Sequence, residues 1–390
     1  MKKIIAISVM FALIAGAVFA DTAIGGAVET RFWLAKQDRN KKADGSMQDL
    51  QMGGTIGAAQ LQLSGSNTEG TLGGMFKFKS TKVGAGGGDK QIYDRVFVWW
   101  KPIEQIKIFL GIDQDGLFDT ASIVSWGFHA GDNDYIFNHM WDHWRAVFPG
   151  NWDGFGLALS FYPIPGFDIN VVIPTGKVSY RQDPSDSVEN LPDISGDAGV
   201  LPGRLRLQMG YALDAGKISL VYNGGLVVNE KGGYGIIKGP SKDNNGQVAA
   251  SFLLTALEGM QILIGGSVIL DDPDMIISAG LGFVYNGDGF GVKVRGSYMM
   301  CGDLDPQIIA DILPFFAVGD KGQVLVNIGI TSQGDQLGWS VIPCYRLGME
   351  GGAFKIGLNV YNNTGIRGNQ TISKQDYVKW NIPMLLAFNF

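Results

Sequence analysis

Cysteine is nearly absent from this chain: Cys301 and Cys344 are the only two among 390 residues. Two thiols cannot build the bridged framework that holds small secreted domains together. A single bridge between them is not expected either, because Cys344 falls inside a predicted strand and Cys301 at a loop edge. Long apolar runs are missing after residue 20, so nothing reaches the roughly 18–20 residues of a membrane-spanning helix. An excess of positive charge is also missing. Lys and Arg number 31 against 37 Asp and Glu, a net charge of −6, which excludes the basic footprint of a nucleic-acid partner. Internal repeats beyond a hairpin period and low-complexity linkers are not found, so residues 21–390 read as one domain.

What is present begins with a leader. Lys2 and Lys3 form a positive start, Ile4 to Phe19 is apolar apart from Ser8, and Val18 and Ala20 are the small residues of a cleavage site before Asp21. This is the pattern of a secretory signal peptide over 1–20. No cysteine follows the cleavage point, so no lipoprotein anchor is expected. Glycine accounts for 57 of the 390 residues, about twice the usual share of ~7%. Glycine suits turns, bulges and tight bends and weakens helices, so the composition favours strands joined by many turns.

Alternation with period two then fixes the class, since successive strand residues point to opposite faces. Trp380, Ile382, Met384, Leu386, Phe388 and Phe390 share one parity. Leu205, Leu207, Met209, Tyr211 and Leu213 oppose Arg204, Arg206, Gln208 and Gly210. Phe290, Val292, Val294 and Tyr298 oppose Lys293, Arg295 and Ser297, and Phe354, Ile356, Leu358 and Val360 oppose Lys355, Gly357 and Asn359. Strands are predicted near 23–36, 51–64, 70–80, 90–101, 104–112, 154–162, 166–174, 202–213, 217–228, 247–257, 260–270, 275–285, 289–300, 307–318, 323–333, 338–348, 353–362 and 378–390. That makes about 18, or 16 if one pair is misread; most approach the roughly 9–11 residues of a tilted membrane strand.

A C-terminal strand ending in Phe390, behind a secretory leader, resembles the bacterial outer-membrane porins. The resemblance implies an all-β fold: a transmembrane antiparallel up-and-down barrel with its apolar face toward lipid and its polar face around water. It also implies that the outer-membrane assembly machinery reads the terminal aromatic, and that the chain forms a homotrimer. A gently apolar stretch such as Ala249 to Ala256 would serve as a subunit contact or face lipid. With both termini periplasmic, the long connections near 36–50, 113–153, 175–201, 229–246 and 362–377 all fall on the extracellular side. Short turns such as Pro163 to Gly166, Asp214 to Gly216 and Glu350 to Gly352 fall on the other. Strand one starts almost at the cleavage site, which leaves no room for an N-terminal plug. Trp33, Trp99, Trp100, Tyr211, Tyr285, Tyr298, Trp339, Tyr361, Tyr377 and Phe390 lie toward strand ends, where interfacial girdles are expected.

The longest insertion, Asp113 to Asp153, follows strand five, the place where the constricting loop of general porins arises. It carries Asp113, Asp115, Asp119, Asp132, Asp134, Asp142 and Asp153 against Arg145, and Trp126, Trp141, Trp144 and Trp152. On inward parities of the wall stand Lys77, Lys79, Arg95, Lys107, Arg204, Arg206, Lys293, Arg295, Arg346 and Lys355. A basic wall facing an acidic loop sets a transverse field at a constriction and tunes which solutes pass. The pore-lining candidates are accordingly Arg95, Lys107, Asp113, Asp115, Asp119, Arg204, Arg206, Lys293, Arg295 and Arg346. Phe97 and Trp99 share the parity of Arg95, which would give an aromatic track of the kind sugar-specific channels use.

Three other readings are weighed against this one. His139 and His143 with Asp142 have a zinc-compatible spacing, but the Glu of a metalloprotease helix is missing, and no cofactor or metal is implied. Ser125 with His129, or Asp132 and Asp134 with His129, would imitate barrel enzymes at the rim, without a motif that fixes geometry. A closed adhesin barrel would need bulky apolar inward residues, which the Lys-, Arg- and Gly-rich inward parity does not lead one to expect. The function expected is passive diffusion of ions and small hydrophilic solutes through the outer membrane, with a substrate-specific channel as the alternative.

Overall fold

The computed structural model describes residues 21–37, 50–81, 90–113, 147, 155–174, 205–224, 246–269, 276–301, 305–362, 365–367, 370–373 and 378–389. The first strands are β1 (Asp21–Gln37), β2 (Leu50–Ser66), β3 (Leu72–Thr81), β4 (Lys90–Ile103), β5 (Ile106–Asp113), β6 (Phe155–Ile164) and β7 (Phe167–Pro174). They are followed by β8 (Arg206–Leu213), β9 (Gly216–Gly224), β10 (Gly246–Leu254), β11 (Met260–Ile269), β12 (Ile276–Asn286), β13 (Phe290–Cys301) and β14 (Gln307–Val318). The last are β15 (Gly322–Gln333), β16 (Gln336–Met349), β17 (Gly352–Gly357), β18 (Asn359–Asn362), β19 (Gly365–Arg367), β20 (Gln370–Ser373) and β21 (Val378–Asn389).

From β1 to β16 each strand pairs antiparallel with the next, β16 pairs with β17 and β18, both of these pair with β21, and β21 pairs with β1, so the sheet closes on itself. The result is an 18-strand antiparallel barrel in which β17 and β18 are two halves of one wall strand. Closure leaves no unpaired edge, the condition for a sheet to cross a bilayer. The break between the halves has a local cause. Proline cannot donate to a ladder, and Leu358 lies beside Pro343 of β16, whose carbonyl accepts the Leu358 N–H at 3.0 Å. Pro383 of β21 flanks the same place from the other side. The predicted strand over 353–362 is therefore divided, and the small hairpin β19–β20 forms within the connection expected after it.

The ends of the barrel differ as expected. All connections on the side of Asp21 and Asn389 are short, and the long ones, including 114–154 and 175–205, leave from the opposite end. In the first short turn the Asn67 Oδ1 accepts the N–H of Thr71 at 2.8 Å and of Leu72 at 2.9 Å, a side chain standing in for a missing backbone partner. The opposite end also holds one tight turn, with Gly334 at φ 54°, so short connections are not confined to one side. Within 114–154 the structure describes Val147, a helical and fully buried residue.

The two faces of the wall are sorted by polarity. Outward positions carry residues such as Ile24, Leu61, Trp100, Leu110, Leu220, Ile264, Leu281, Ile312, Phe316, Ile330, Leu337 and Phe388, all exposed. Away from the register shifts in β1 and β4, no outward position of the described wall strands is charged. Exposed apolar surface of this extent is untenable in water, and it is the band that a bilayer covers. Among the described residues no helix is long and apolar enough to cross a membrane; the strands do the crossing. The class this defines is a transmembrane β-barrel.

Trp100, Tyr211 and Tyr298 face outward and are exposed, in keeping with an interfacial girdle. Trp99 and Tyr361 do not belong to it. Both lie on inward parities, and Tyr361 is buried. Tyr377 and Phe390 lie outside the described residues, as does the leader 1–20.

Candidate functional site

Among the described wall strands, away from the register shifts of β1 and β4, charge falls on the inner face, and register sets its neighbours. Lys77 of β3 stands opposite Arg95 of β4, and Arg95 opposite Asp113 of β5, so cation and carboxylate positions are neighbours across the ladder. Lys107 is inward on β5 opposite Ser160, and Arg206 is inward on β8 opposite Asn223. Lys293 and Arg295 share the inward face of β13. Arg346 of β16 stands between Gln323 of β15 and Lys355 of β17. Arg204, Asp115 and Asp119 lie outside the described residues, as do His129, His139, His143, Ser125, Asp132 and Asp134.

The inward charges are of two kinds. Arg295 is 2% exposed and is held by Asp311 of β14: its Nε donates to Oδ1 at 3.1 Å and its Nη2 to Oδ2 at 2.7 Å. Bidentate geometry of this sort is the strong form of a charge-assisted pair. The guanidinium is thus neutralised inside the protein and offers no free charge to a lumen. Arg206 is likewise buried, at 1%. A second pair, Lys217 with Asp168 at 3.2 Å, is partly exposed. By contrast Arg346 is exposed, and Lys107, Lys293 and Lys355 are half-buried.

Height along the strands separates these groups. Lys107, Lys217, Lys293, Arg346 and Lys355 all lie two to four residues above the short turns, on five strands near that mouth. Met299, Ile309 and Ile342, eight to ten residues from the short turns, point inward, and with Leu263, four residues from its turn, they belong to the most completely buried side chains. Gln247, Ser267 and Ser278 link across β10, β11 and β12 by hydrogen bonds of 3.1 and 2.9 Å. The expectation that inward positions lack bulky apolar residues is therefore corrected: the inward face is partly apolar.

An aromatic cluster occupies the opposite part of the wall. Phe97 and Phe109 approach to 4.6 Å between centroids, and Phe97 and Trp99 pack against buried Phe109, Ala158 and Val172. The ammonium groups of Lys101 and Lys107 sit 5.7 and 5.2 Å from the Trp99 ring centre, within cation–π range. Gly73 makes room for that ring: a Cβ there would stand 2.4 Å from an indole carbon.

Sequence parity had placed the basic residues but not their partners. Asp311, Asp168, Gln323 and Phe109 went unnoticed, although each lies on the inward parity of its strand. Applying the same alternation to carboxylates and amides is the signal that finds them. Cys344 is a free, buried thiol on this face. Among the described residues no group of three metal-ligating side chains converges.

At the level of sequence, no family model and no curated protein matches the chain. Solved structures do. A BenF-like porin from Pseudomonas fluorescens Pf-5 superposes with a TM-score of 0.57 at 10% identity, covering 95% of this chain and 99% of that one. OmpF of Salmonella typhi, solved in complex with daunomycin, gives 0.54 at 9% identity, over 95% and 97%. An anion-selective porin from Comamonas acidovorans gives 0.52 at 12% identity, over 95% and 99%. The fold is that of the porins, shared at the level of architecture with little sequence in common.

Proposed function

We propose that this chain is a bacterial outer-membrane channel that passes ions and small hydrophilic solutes passively, without catalysis. The observation that carries the reading is the sorting of the wall: among the described strands, away from the register shifts of β1 and β4, the outward face is free of charge and the inward face holds the charges. A soluble barrel would be built the other way round, with its apolar face inside. The likeness in fold to porins supports the reading, and so does the asymmetry of short turns and long loops. Arg95, Lys107, Asp113, Lys293 and Arg346 are the described candidates for lining the path, while Arg206 and Arg295 shape it from within the packed wall. Asp115, Asp119 and Arg204 belong to the same proposal from outside the described residues. Removal of 1–20 on export, recognition of Phe390 by the assembly machinery and a homotrimeric state complete it. Ala249 faces inward on β10, so Ala250, Phe252 and Leu254 are the residues of that stretch that meet lipid or a neighbour.

A second reading, a substrate-selective channel, is favoured by two observations. Inward apolar side chains such as Met299, Ile309 and Ile342 are buried, and Phe97, Trp99 and Phe109 form an aromatic patch flanked by lysines. The test for both is conductance of the refolded mature protein in a planar bilayer. Discrete steps proportional to salt support general diffusion. Small steps that a particular solute blocks support selectivity. A correctly folded, heat-modifiable barrel that stays silent would overturn both.

A further inference from the structure

Resting on the channel reading, we propose that carboxylates carried by the short turns ring that mouth as a selectivity element, drawing cations to it and holding anions back. Eight short turns join β2 to β3, β4 to β5 and so on to β16 and β17. Seven of them carry one acidic residue each: Glu69, Glu104, Asp214, Glu258, Asp288, Asp320 and Glu350. The eighth, Pro165-Gly166, carries none. All seven acidic residues are exposed, and among the described residues none of them takes part in an ion pair. The one basic residue in these turns is Lys321. Turn geometry does not ask for the charges. Asp suits a turn, but Glu is not among the residues that turns select, and four of the seven are Glu. In the turns of Glu69 and Glu350 the left-handed position falls to the next residue, Gly70 at φ 63° and Gly351 at φ 68°. The side chain that satisfies the backbone beside Glu69 is Asn67. What the seven residues share is their sign.

The spacing lets these charges act together. With 18 strands spaced about 4.8 Å and tilted about 40°, the rim has a radius of roughly 18 Å and successive turns stand about 12 Å apart. The Debye length is about 30 Å at 10 mM salt, about 10 Å at 0.1 M and about 3 Å at 1 M. In dilute salt the fields of all seven carboxylates therefore reach the middle of the mouth, whatever the bore above it. With the dielectric of water, the net ring charge enriches a monovalent cation there about fourfold at 10 mM, about 1.5-fold at 0.1 M and not at all at 1 M. Anions are depleted by the same factors. Rings of carboxylates select for cations in this way. The inward lysines and arginines stand further along the strands and add a field of their own, so the part played by the rim is the change that follows its neutralisation.

The test is the reversal potential of single channels of the refolded mature protein in a planar bilayer, under potassium chloride gradients applied in both directions. E69Q/E104Q/D214N/E258Q/D288N/D320N/E350Q keeps the size of each side chain and removes its charge. With about 10 mM salt on the short-turn side, the potassium-to-chloride permeability ratio of this variant should fall about fourfold below that of the parent. With about 1 M salt on that side the two proteins should agree. Heat-modifiable mobility checks folding. If the full variant fails to fold, E69Q/E104Q/D214N and E258Q/D288N/D320N/E350Q take its place, each with a fall of about twofold. A folded variant that matches the parent in dilute salt, or a difference that persists with concentrated salt at the short turns, overturns the rim proposal and leaves the channel standing. A folded parent without conductance overturns the channel reading itself.

Discussion

The Arg295–Asp311 pair allows a sharp test of how the inner wall is held. Both side chains are all but inaccessible, at 2% and 1% exposure, and the two hydrogen bonds are 3.1 and 2.7 Å long. Replacing Asp311 with Ala leaves a guanidinium that is neither hydrated nor paired. Breaking a buried pair from one side costs about 3–5 kcal/mol, and D311A is expected to fall in that range. R295A should cost a similar amount by stranding the carboxylate. The joint replacement R295M/D311L removes both charges and fills the space, so it should lie within about 1 kcal/mol of the parent, since apolar substitutes of similar volume are often neutral. Urea unfolding of the four proteins from lipid vesicles, followed by tryptophan emission and by heat-modifiable mobility, compares the joint replacement with the two single ones. A D311A variant within 1 kcal/mol of the parent, or single losses that simply add in the joint variant, would refute the claim that these charges depend on each other in a dry wall.

Three further outcomes follow from the same geometry. Leu281 is outward, mid-strand on β12 and exposed, so L281K should cost about 2–4 kcal/mol in a bilayer, whereas V318K, at the interfacial end of β14, should cost no more than about 1; equal losses in vesicle unfolding would contradict the placement of the membrane. G73A should displace the Trp99 ring, costing about 1–3 kcal/mol of stability and shifting tryptophan emission; unchanged emission and midpoint would mean that the ring does not rest on Gly73. The Lys217–Asp168 pair is 41% and 18% exposed, so K217A should alter stability by less than about 1 kcal/mol, and a loss comparable to that of D311A would show that the short-turn mouth is as dry as the wall above it.

The sequence by itself determined the class of fold and the face of nearly every wall residue. Strand geometry has a period of two regardless of what a strand pairs with, so Lys293 and Arg295 could be assigned to one side and Val292 and Val294 to the other without coordinates. Turn chemistry is equally local, which is why Asp214 to Gly216 and Glu350 to Gly352 were legible as connections. Loop lengths then placed the long insertions at one end. The register shifts near Arg31 and Asp94 are the places where that parity rule breaks, because a bulge is defined by the partner strand.

Only the tertiary structure decided what each inward residue meets. Arg295 and Asp311 are 16 residues apart on different strands, and in one dimension Arg295 is indistinguishable from an open lining charge such as Arg346. Closure brings Pro343 and Pro383 to either side of Leu358 and divides a strand that has no proline of its own. It also gathers Phe97, Trp99 and Phe109 into one cluster and buries Leu263, Ile309 and Ile342 although they face inward. Side-chain direction is a property of a strand, whereas burial and pairing belong to the closed sheet, in which each residue's surroundings are supplied by neighbours remote along the chain.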